Sequence, residues 1–365
     1  MKKSILFSLS VMVLITQLSF GEQDLTGIWQ GMVKLGPFES RVVFKMSKGY
    51  AGSWNARVYT LEQGLISMTA ESVDLQDSNI KVTFSSGQGS CEGKISADGA
   101  SIQSVCNLGQ GPFPVTLQHA TKETEWKIDT STHKVQFINA EKNVKLEVLD
   151  WGGSGRPLVL LAGLGADAHV FDKFAPKLVE AGYHVYGISR RGFGESTMPS
   201  SGYSADQLGD DVLAVIKALK LRRPILVGHS IAGEELSSIG SRQPKKVSGL
   251  IYLDAAYAFA YYDKSFDDYF STVKKYNLDK LKEARVPTPA LQINAGYQKY
   301  INIKAPFLAI YAQKSVTGNE RILEAIKKNF PSAKVVILTN AAHDLYRSNE
   351  AEVLTAMKAF LDGLH

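Results

Sequence analysis

The feature that most constrains this chain is a hexapeptide with its flanks, Gly228-His229-Ser230-Ile231-Ala232-Gly233. Three apolar residues, Ile225-Leu226-Val227, lead into it, and the stretch 234–242 that follows has helical character. A buried strand that ends on serine and turns at once into a helix demands a sharp backbone reversal. Such a turn strains Ser230, and bulky side chains two positions to either side would collide. Gly228 and Ala232 are both small. The serine oxygen then projects beyond the strand end, and the helix N-terminus favours negative charge developing beside it.

The neighbouring sequence supplies a sheet for this turn. From about residue 133, apolar strands alternate with helical patterns, which is the signature of a parallel sheet. A continuous apolar strand covers 157–162 and runs into Gly163-Leu164-Gly165. A helix is expected over 171–181 and a strand over 185–189. Leu208, Val212, Val215, Ile216 and Leu219 then recur at helical spacing. Further strands are predicted at 225–227, 249–254, 306–311 and 335–338. An amphipathic helix bearing Val353, Met357, Phe360 and Leu364 closes the chain. Between about 257 and 300 the alternation breaks, as expected for an inserted cap. Eight aromatic residues lie between Tyr257 and Tyr276. They offer an aromatic acyl or alcohol pocket, although packing of cap helices accounts for most of them.

Together these motifs resemble the α/β-hydrolase superfamily over residues 133–365. The resemblance implies a mostly parallel, doubly wound α/β sheet with an inserted cap, and it assigns roles. Ser230 would be the nucleophile. His343, in the loop Thr339-Asn340-Ala341-Ala342-His343, would be the general base, since imidazole titrates near neutrality. The oxyanion hole would use the backbone N–H groups of Ile231 and Leu164. Ala162-Gly163-Leu164-Gly165 resembles the family's His-Gly-x-Gly loop with Ala162 in place of the histidine.

The family's usual acid follows the strand 306–311 in a Gly-x-x-Asp turn, but here that turn reads Ala312-Gln313-Lys314-Ser315. Asp254, 24 residues past Ser230, stands where haloalkane dehalogenases and some lipases of this fold carry their acid. A purely structural Asp254 and a catalytic Glu320 are the competing assignments. The remaining histidines, His119, His133, His169, His184, His229 and His365, read as packing or surface residues. The turn Ser189-Arg190-Arg191-Gly192-Phe193-Gly194-Glu195-Ser196 resembles the family's Arg-Gly-x-Gly-x-Ser turn and reads as loop structure without chemistry.

These roles imply acyl transfer on a small carboxylic ester through an acyl-enzyme, with no metal or organic cofactor called for. Serine rather than aspartate in the elbow argues against dehalogenase or epoxide hydrolase chemistry. An amide or peptide hydrolase of the proline iminopeptidase type is the nearest alternative. A non-catalytic ligand-binding protein that retains the fold is the alternative from another class.

Residues 22–120 differ in kind. Short apolar–polar alternations separated by Gly, Ser, Asn and Asp clusters predict a small antiparallel β domain, a barrel or a sandwich. Its opening, Leu25-Thr26-Gly27-Ile28-Trp29-Gln30-Gly31, resembles the lipocalin-like domain that precedes the hydrolase domain in some secreted bacterial enzymes. The polar stretch 121–132 reads as a linker.

Residues 1–21 read as a secretory signal, with Lys2 and Lys3 ahead of an apolar run and small residues at the end. A retained membrane anchor is the competing reading, but the run is short for a span of about 20 apolar residues. After cleavage no integral span is expected, and the location is secreted or periplasmic. Export makes a disulfide between the only two cysteines, Cys91 and Cys106, the natural expectation. Asp98-Gly99 between them signals a two-residue hairpin turn, which would set the two cysteines opposite each other, Cα atoms about 4.5–5.5 Å apart. Loss of the two leader lysines takes the formal charge from +5 to +3. That mild balance, without a long Lys/Arg run, argues against nucleic-acid binding.

Overall fold

A computed structural model describes residues 23–35, 38–49, 52–61, 66–84, 89–108, 111–126, 133–255, 264–284, 287–296, 300, 302–314 and 320–364. The expected leader, the second half of the expected linker and the first residues of the cap lie outside them.

Eight strands form a closed antiparallel barrel in sequential order. They are β1 Gly27–Leu35, β2 Phe38–Lys48, β3 Trp54–Thr60, β4 Ile66–Gln76, β5 Asn79–Phe84, β6 Gly89–Ile95, β7 Ser101–Asn107 and β8 Pro112–His119. Closure comes from Trp29↔His119 and Gln30↔Gln118 between β1 and β8, and it leaves no strand edge open. Of the two expected architectures the barrel is the one formed. Its interior is filled by Trp29, Phe44, Met46, Trp54, Phe84, Ile102 and Leu117, among others. Alternate residues supply this core, as the period of a strand requires. Thr121–Trp126 are tied to the outside of the barrel, because the Gln30 side chain donates to the Thr124 carbonyl at 2.8 Å and accepts from the Trp126 N–H at 3.0 Å.

Cys91 and Cys106 pair across β6 and β7 and form a disulfide with Cα atoms 3.9 Å apart. The register is the one the hairpin reasoning demands, but the turn is longer than two residues. Ser96 pairs with Ser101 and the Gly99 N–H donates to the Ser96 carbonyl. Only Gly99 has positive φ, at 70°, whereas a two-residue type I′ turn needs it at both central positions. The Asp98 carboxylate instead accepts from Ser96 Oγ and the Ala100 N–H. The longer loop is symmetric about the same centre, so the pairing survives.

The second domain is an eight-stranded sheet with helices on both faces. Its strands are β9 Lys134–Glu141, β10 Val144–Gly152, β11 Pro157–Leu161, β12 His184–Ile188, β13 Ile225–His229, β14 Gly249–Leu253, β15 Phe307–Ala312 and β16 Lys334–Leu338. The order is β16-β15-β14-β13-β11-β12-β10-β9. Strands β11 to β16 run parallel, and β10 and β9 join antiparallel. The helices are α1 Ala175–Glu180, α2 Ala205–Ala218, α3 Gly233–Arg242, α4 Lys264–Glu283, α5 Pro289–Ala295, α6 Glu320–Asn329, α7 Leu345–Ser348 and α8 Glu350–Leu361. Leu226 belongs to the core on one face, and Ile225 and Val227 to the core on the other. Burial on both faces is why the central strands read as unbroken apolar runs.

One expected helix is divided. Instead of one run over 171–181, a 3-10 turn covers Ala168–Phe171 and α1 begins at Ala175. Asp167 caps the 3-10 turn by accepting from the His169 N–H. Pro176 then sits in the first turn of α1, where a missing N–H costs nothing. The cap holds α4 and α5. Of its aromatic residues, Tyr257, Phe259, Tyr261 and Tyr262 fall outside the described residues. Tyr276 is 60% exposed and faces solvent, so it joins neither a pocket nor a core.

Candidate active site

The site forms where β11, β13, β14 and β16 end, the edge at which open parallel sheets present their loops. His229 pairs with Leu253, so Ser230 and Asp254 leave adjacent strands side by side. Ser230 has φ 53° and Asp254 φ 47°. Both are in the left-handed region that side chains other than glycine avoid, and strain of this kind is typical of functional positions. The elbow is as crowded as the sequence suggests. A Cβ on Gly228 would come within 2.8 Å of Leu236 Cδ1 and 3.1 Å of Ala232 Cβ.

Asp254 is fully buried, and both its oxygens are engaged. Oδ1 accepts the Ala312 N–H at 3.1 Å, and Oδ2 lies 2.6 Å from His343 Nδ1. His343 Nε2 is in turn 2.9 Å from Ser230 Oγ. The end of β15, which lacks the family's usual carboxylate, therefore supplies a backbone donor to the Asp254 carboxylate. The hydrogen bond to Asp254 holds the His343 pKa above its ordinary value, against partial desolvation. Ser315 lies outside the described residues.

Gly163 is the closest approach of the β11 loop. A Cβ there would meet His229 Nδ1 at 2.9 Å and Ser230 Cβ at 3.3 Å, so only glycine lets this loop lie against the elbow. Leu164 follows, and its side chain packs on a cluster of Phe193, Tyr203, Leu208, Ile231 and Ile293. The two residues expected to supply oxyanion N–H groups, Leu164 and Ile231, thus share one apolar patch with the cap helix α5. Arg190 braces the start of the loop, donating to the Ala162 carbonyl at 2.9 Å while its Nε reaches Glu235 at 2.5 Å. Arg191 makes a bidentate pair with Asp211. The turn 189–196 is loop structure, as expected.

Two histidines do more than their sequence context indicates. His229 is buried, and its Nε2 lies 3.0 Å from the His343 carbonyl oxygen. Burial, with His343 alongside, lowers its pKa to about 4, so it stays neutral. It braces the loop that carries His343. His169 is not a surface residue either. Its Nδ1 is 3.2 Å from Asp172 and its Nε2 3.5 Å from Glu147. His133 Nδ1 and Trp151 Nε1 both meet the other Asp172 oxygen, at 2.9 and 3.2 Å. The i,i+3 spacing of His169 and Asp172 was the available signal, but Glu147 comes from β10 and His133 from the residue before β9. His133, His169 and Asp172 together have ligand-like spacing, yet each of the two imidazoles already hydrogen-bonds the Asp172 carboxylate.

Comparison with known proteins agrees with this architecture. Residues 156–287 match the model of the alpha/beta hydrolase fold family. A Mycobacterium phage D29 protein named for a non-heme haloperoxidase is 28% identical over 213 residues, 58% of this chain and 72% of that one. The AB hydrolase superfamily protein YisY of Bacillus subtilis is 36% identical over 121 residues, 33% of this chain. The chain spans less than half, 45%, of that relative's length. Among solved structures, an E-2-(acetamidomethylene)succinate hydrolase superposes with TM-score 0.53 at 18% identity, covering 63% of this chain and all of the other. A bromoperoxidase from Bacillus anthracis gives 0.52 at 20%, again covering 63% of this chain and all of the other. At such identity these structures establish fold alone. The C-terminal domain has the α/β-hydrolase fold, with residues 156–287 matching that family's model, and a small antiparallel β-barrel domain precedes it.

Proposed function

We propose that this protein is a serine hydrolase that cleaves small carboxylic esters through Ser230, His343 and Asp254. The observation that carries the reading is the unbroken relay from a buried carboxylate through an imidazole to a serine hydroxyl, 2.6 Å and then 2.9 Å. In this reading Ser230 Oγ attacks the ester carbonyl while His343 Nε2 takes its proton. The N–H groups of Ile231 and Leu164 donate to the developing oxyanion, and His343 returns the proton to the departing alcohol. Water activated by His343 then opens the acyl-enzyme. Asp254 holds the imidazole in the tautomer that leaves Nε2 free to accept.

The names of several relatives favour a second nucleophile in the last step. An acyl-enzyme opened by hydrogen peroxide instead of water gives a peracid, a product that fits the haloperoxidase names. Amide cleavage needs the same groups, and matched ester and amide substrates distinguish the two. The test is labelling of the purified protein by a fluorophosphonate, together with turnover of p-nitrophenyl acetate with and without peroxide. An unlabelled, inactive protein would favour a ligand-binding role.

Export belongs to the same proposal: cleavage after Gly21 and life outside the cytosol. The Cys91–Cys106 disulfide supports it. No helix among the described residues is long and apolar enough to cross a membrane. The N-terminal mass of protein from the periplasm or medium tests the cleavage site.

A further inference from the structure

On β3 the even-numbered Trp54, Ala56 and Val58 fill the barrel interior. Arg57 and Tyr59 therefore face outward, yet only 4% and 5% of their surfaces are exposed. The hydrolase domain is what covers them. Arg57 Nε lies 2.9 Å from Asp167 Oδ2, and its Nη1 lies 4.0 Å from Glu147 and 3.7 Å from Glu195. Its partners across the barrel strands are Lys45 on β2 and Thr69 on β4. Lys45 Nζ reaches Glu195 at 2.9 Å. The Thr69 N–H donates to the Gly165 carbonyl at 3.2 Å. One row of three neighbouring residues thus grips the hydrolase domain, and two of its contacts fall on residues 165 and 167.

Those contacts flank the loop on which the proposed oxyanion donor sits. Leu164 is one residue before Gly165 and three before Asp167, and Gly163 is pressed against Ser230. Asp167 is fully buried and caps the 3-10 turn that follows. The loop is therefore held from the elbow side by Gly163, at its start by Arg190, and at its end by the barrel. A buried ion pair of this kind contributes little net stability compared with apolar packing. What it does impose is a single relative placement of the elements that carry its two ends.

We propose that the barrel is a positioning element of the active site, with Arg57, aided by Thr69, fixing the loop that presents the Leu164 N–H to the oxyanion. Arg57 touches no reacting atom. It acts through Asp167, and the barrel is needed for turnover although apolar side chains fill its interior. The proposal rests on the serine hydrolase reading above, and its test separates the two.

Arg57→Met alone leaves Asp167 and Glu147 buried without their cation and risks misfolding. The informative variant is the double substitution Arg57→Met with Asp167→Asn, which removes both charges and keeps the cap acceptor at 167. Val82→Ala, in the barrel core and away from the interface, controls for general destabilisation. With p-nitrophenyl acetate we expect the double variant to lose about 10- to 100-fold in kcat, with KM within about two-fold, since loss of one whole oxyanion donor costs about 10²–10³. Deuterium uptake over 163–167 should rise in it and stay at the wild-type level in Val82→Ala. Wild-type kcat in the folded double variant overturns the proposal, whatever the exchange shows. So does unchanged uptake over 163–167. If the wild-type protein neither turns over the ester nor reacts with a fluorophosphonate, the hydrolase reading fails, and the exchange comparison still decides whether the barrel holds the loop.

Discussion

His343 and His169 are both imidazoles held by buried carboxylates, and they are tuned to opposite ends. The His343 side chain is 47% exposed, with Asp254 on one nitrogen and a neutral hydroxyl on the other. Its pKa rises, but the second nitrogen stays available for proton exchange. The His169 side chain is 10% exposed and has carboxylates at both nitrogens. Burial works against its charge, but the bonds to Asp172 and Glu147 prevail and lift its pKa to about 10. Glu147 is the counterpart. Burial raises it, but His169 and Arg57 outweigh that and bring it down to about 2. On the proposed reading, one pair passes a proton and the other holds one. The number of carboxylates facing the ring and its access to water make the difference.

The largest effect should come from breaking the mobile pair. Ser230→Ala or His343→Ala should each lower kcat on p-nitrophenyl acetate by about 10⁴–10⁶-fold without loss of folding, since residues acting as a unit fail together. Turnover near wild type in either variant would end the assignment. Asp254→Asn should cost about 10⁴-fold, because the amide favours the wrong tautomer. It should also move the acidic limb of kcat/KM. In the wild type that limb reports deprotonation of His343, with a midpoint above 6.5. Without the carboxylate the midpoint should fall. A structural Asp254 would instead lower the melting temperature and leave the midpoint in place.

Breaking the locked pair should change stability more than rate. His169→Gln leaves Asp172 and Glu147 facing no imidazolium, at a cost of about 3 kcal/mol. The pH profile of unfolding carries the sign. The His169 pKa is raised on folding, so its contribution is complete below about 6.5 and lost as pH rises toward 10. The Glu147 pKa is depressed, so its contribution is complete above about 4.5 and lost as pH falls toward 2. In the wild type, stability from this network should therefore decline above pH 6.5, and His169→Gln should abolish that decline. A variant that keeps the same alkaline loss would show that another group titrates.

Much of the Ser230–His343–Asp254 arrangement was legible in the sequence, because each residue lies at or soon after the end of a recognisable strand. Ser230 sits on a turn with small neighbours, and His343 follows the strand of β16. Asp254 was chosen by exclusion once the turn at 312–315 showed no acid, and the structure sets its carboxylate against His343 Nδ1. The locked pair was not legible. Arg57 occupies an outward position of an alternating strand, which a sequence alone reads as a solvated charge. Its burial is created by a domain some hundred residues away. His169 and His133 were read as packing or surface residues for the same reason, since Glu147 and Asp172 reach them only in three dimensions. The barrel followed from alternation, whereas its choice over a sandwich depended on the β1–β8 closure.

Within the barrel, reduction of Cys91–Cys106 is expected to act locally. The bridge links residues 15 apart, and chain-entropy reasoning gives it about 3 kcal/mol. Cys91→Ala with Cys106→Ala should lower the barrel's unfolding temperature while esterase activity at low temperature persists. Alkylation of exported protein should show two thiols only after reduction. Two thiols before reduction would mean that the bridge does not form.

The smallest expected effect is at Glu320, the rival acid. His343 has one N–H to give on the Asp254 side, and Asp254 Oδ2 already takes it at 2.6 Å. A second carboxylate has no donor left to bind, and the Asp254 carboxylate is held independently by the Ala312 N–H. Glu320 is the first residue of α6, where a negative charge adds only about 0.3–1 kcal/mol through the helix dipole. Glu320→Gln should therefore leave kcat within about two-fold and shift the melting temperature by no more than about 2–4 °C. The pH midpoint of kcat/KM should match the wild type, because Asp254 is the largest influence on His343. A large loss of turnover in Glu320→Gln, with Asp254→Asn near normal, would exchange the two assignments and leave only Ser230 and His343 in their roles.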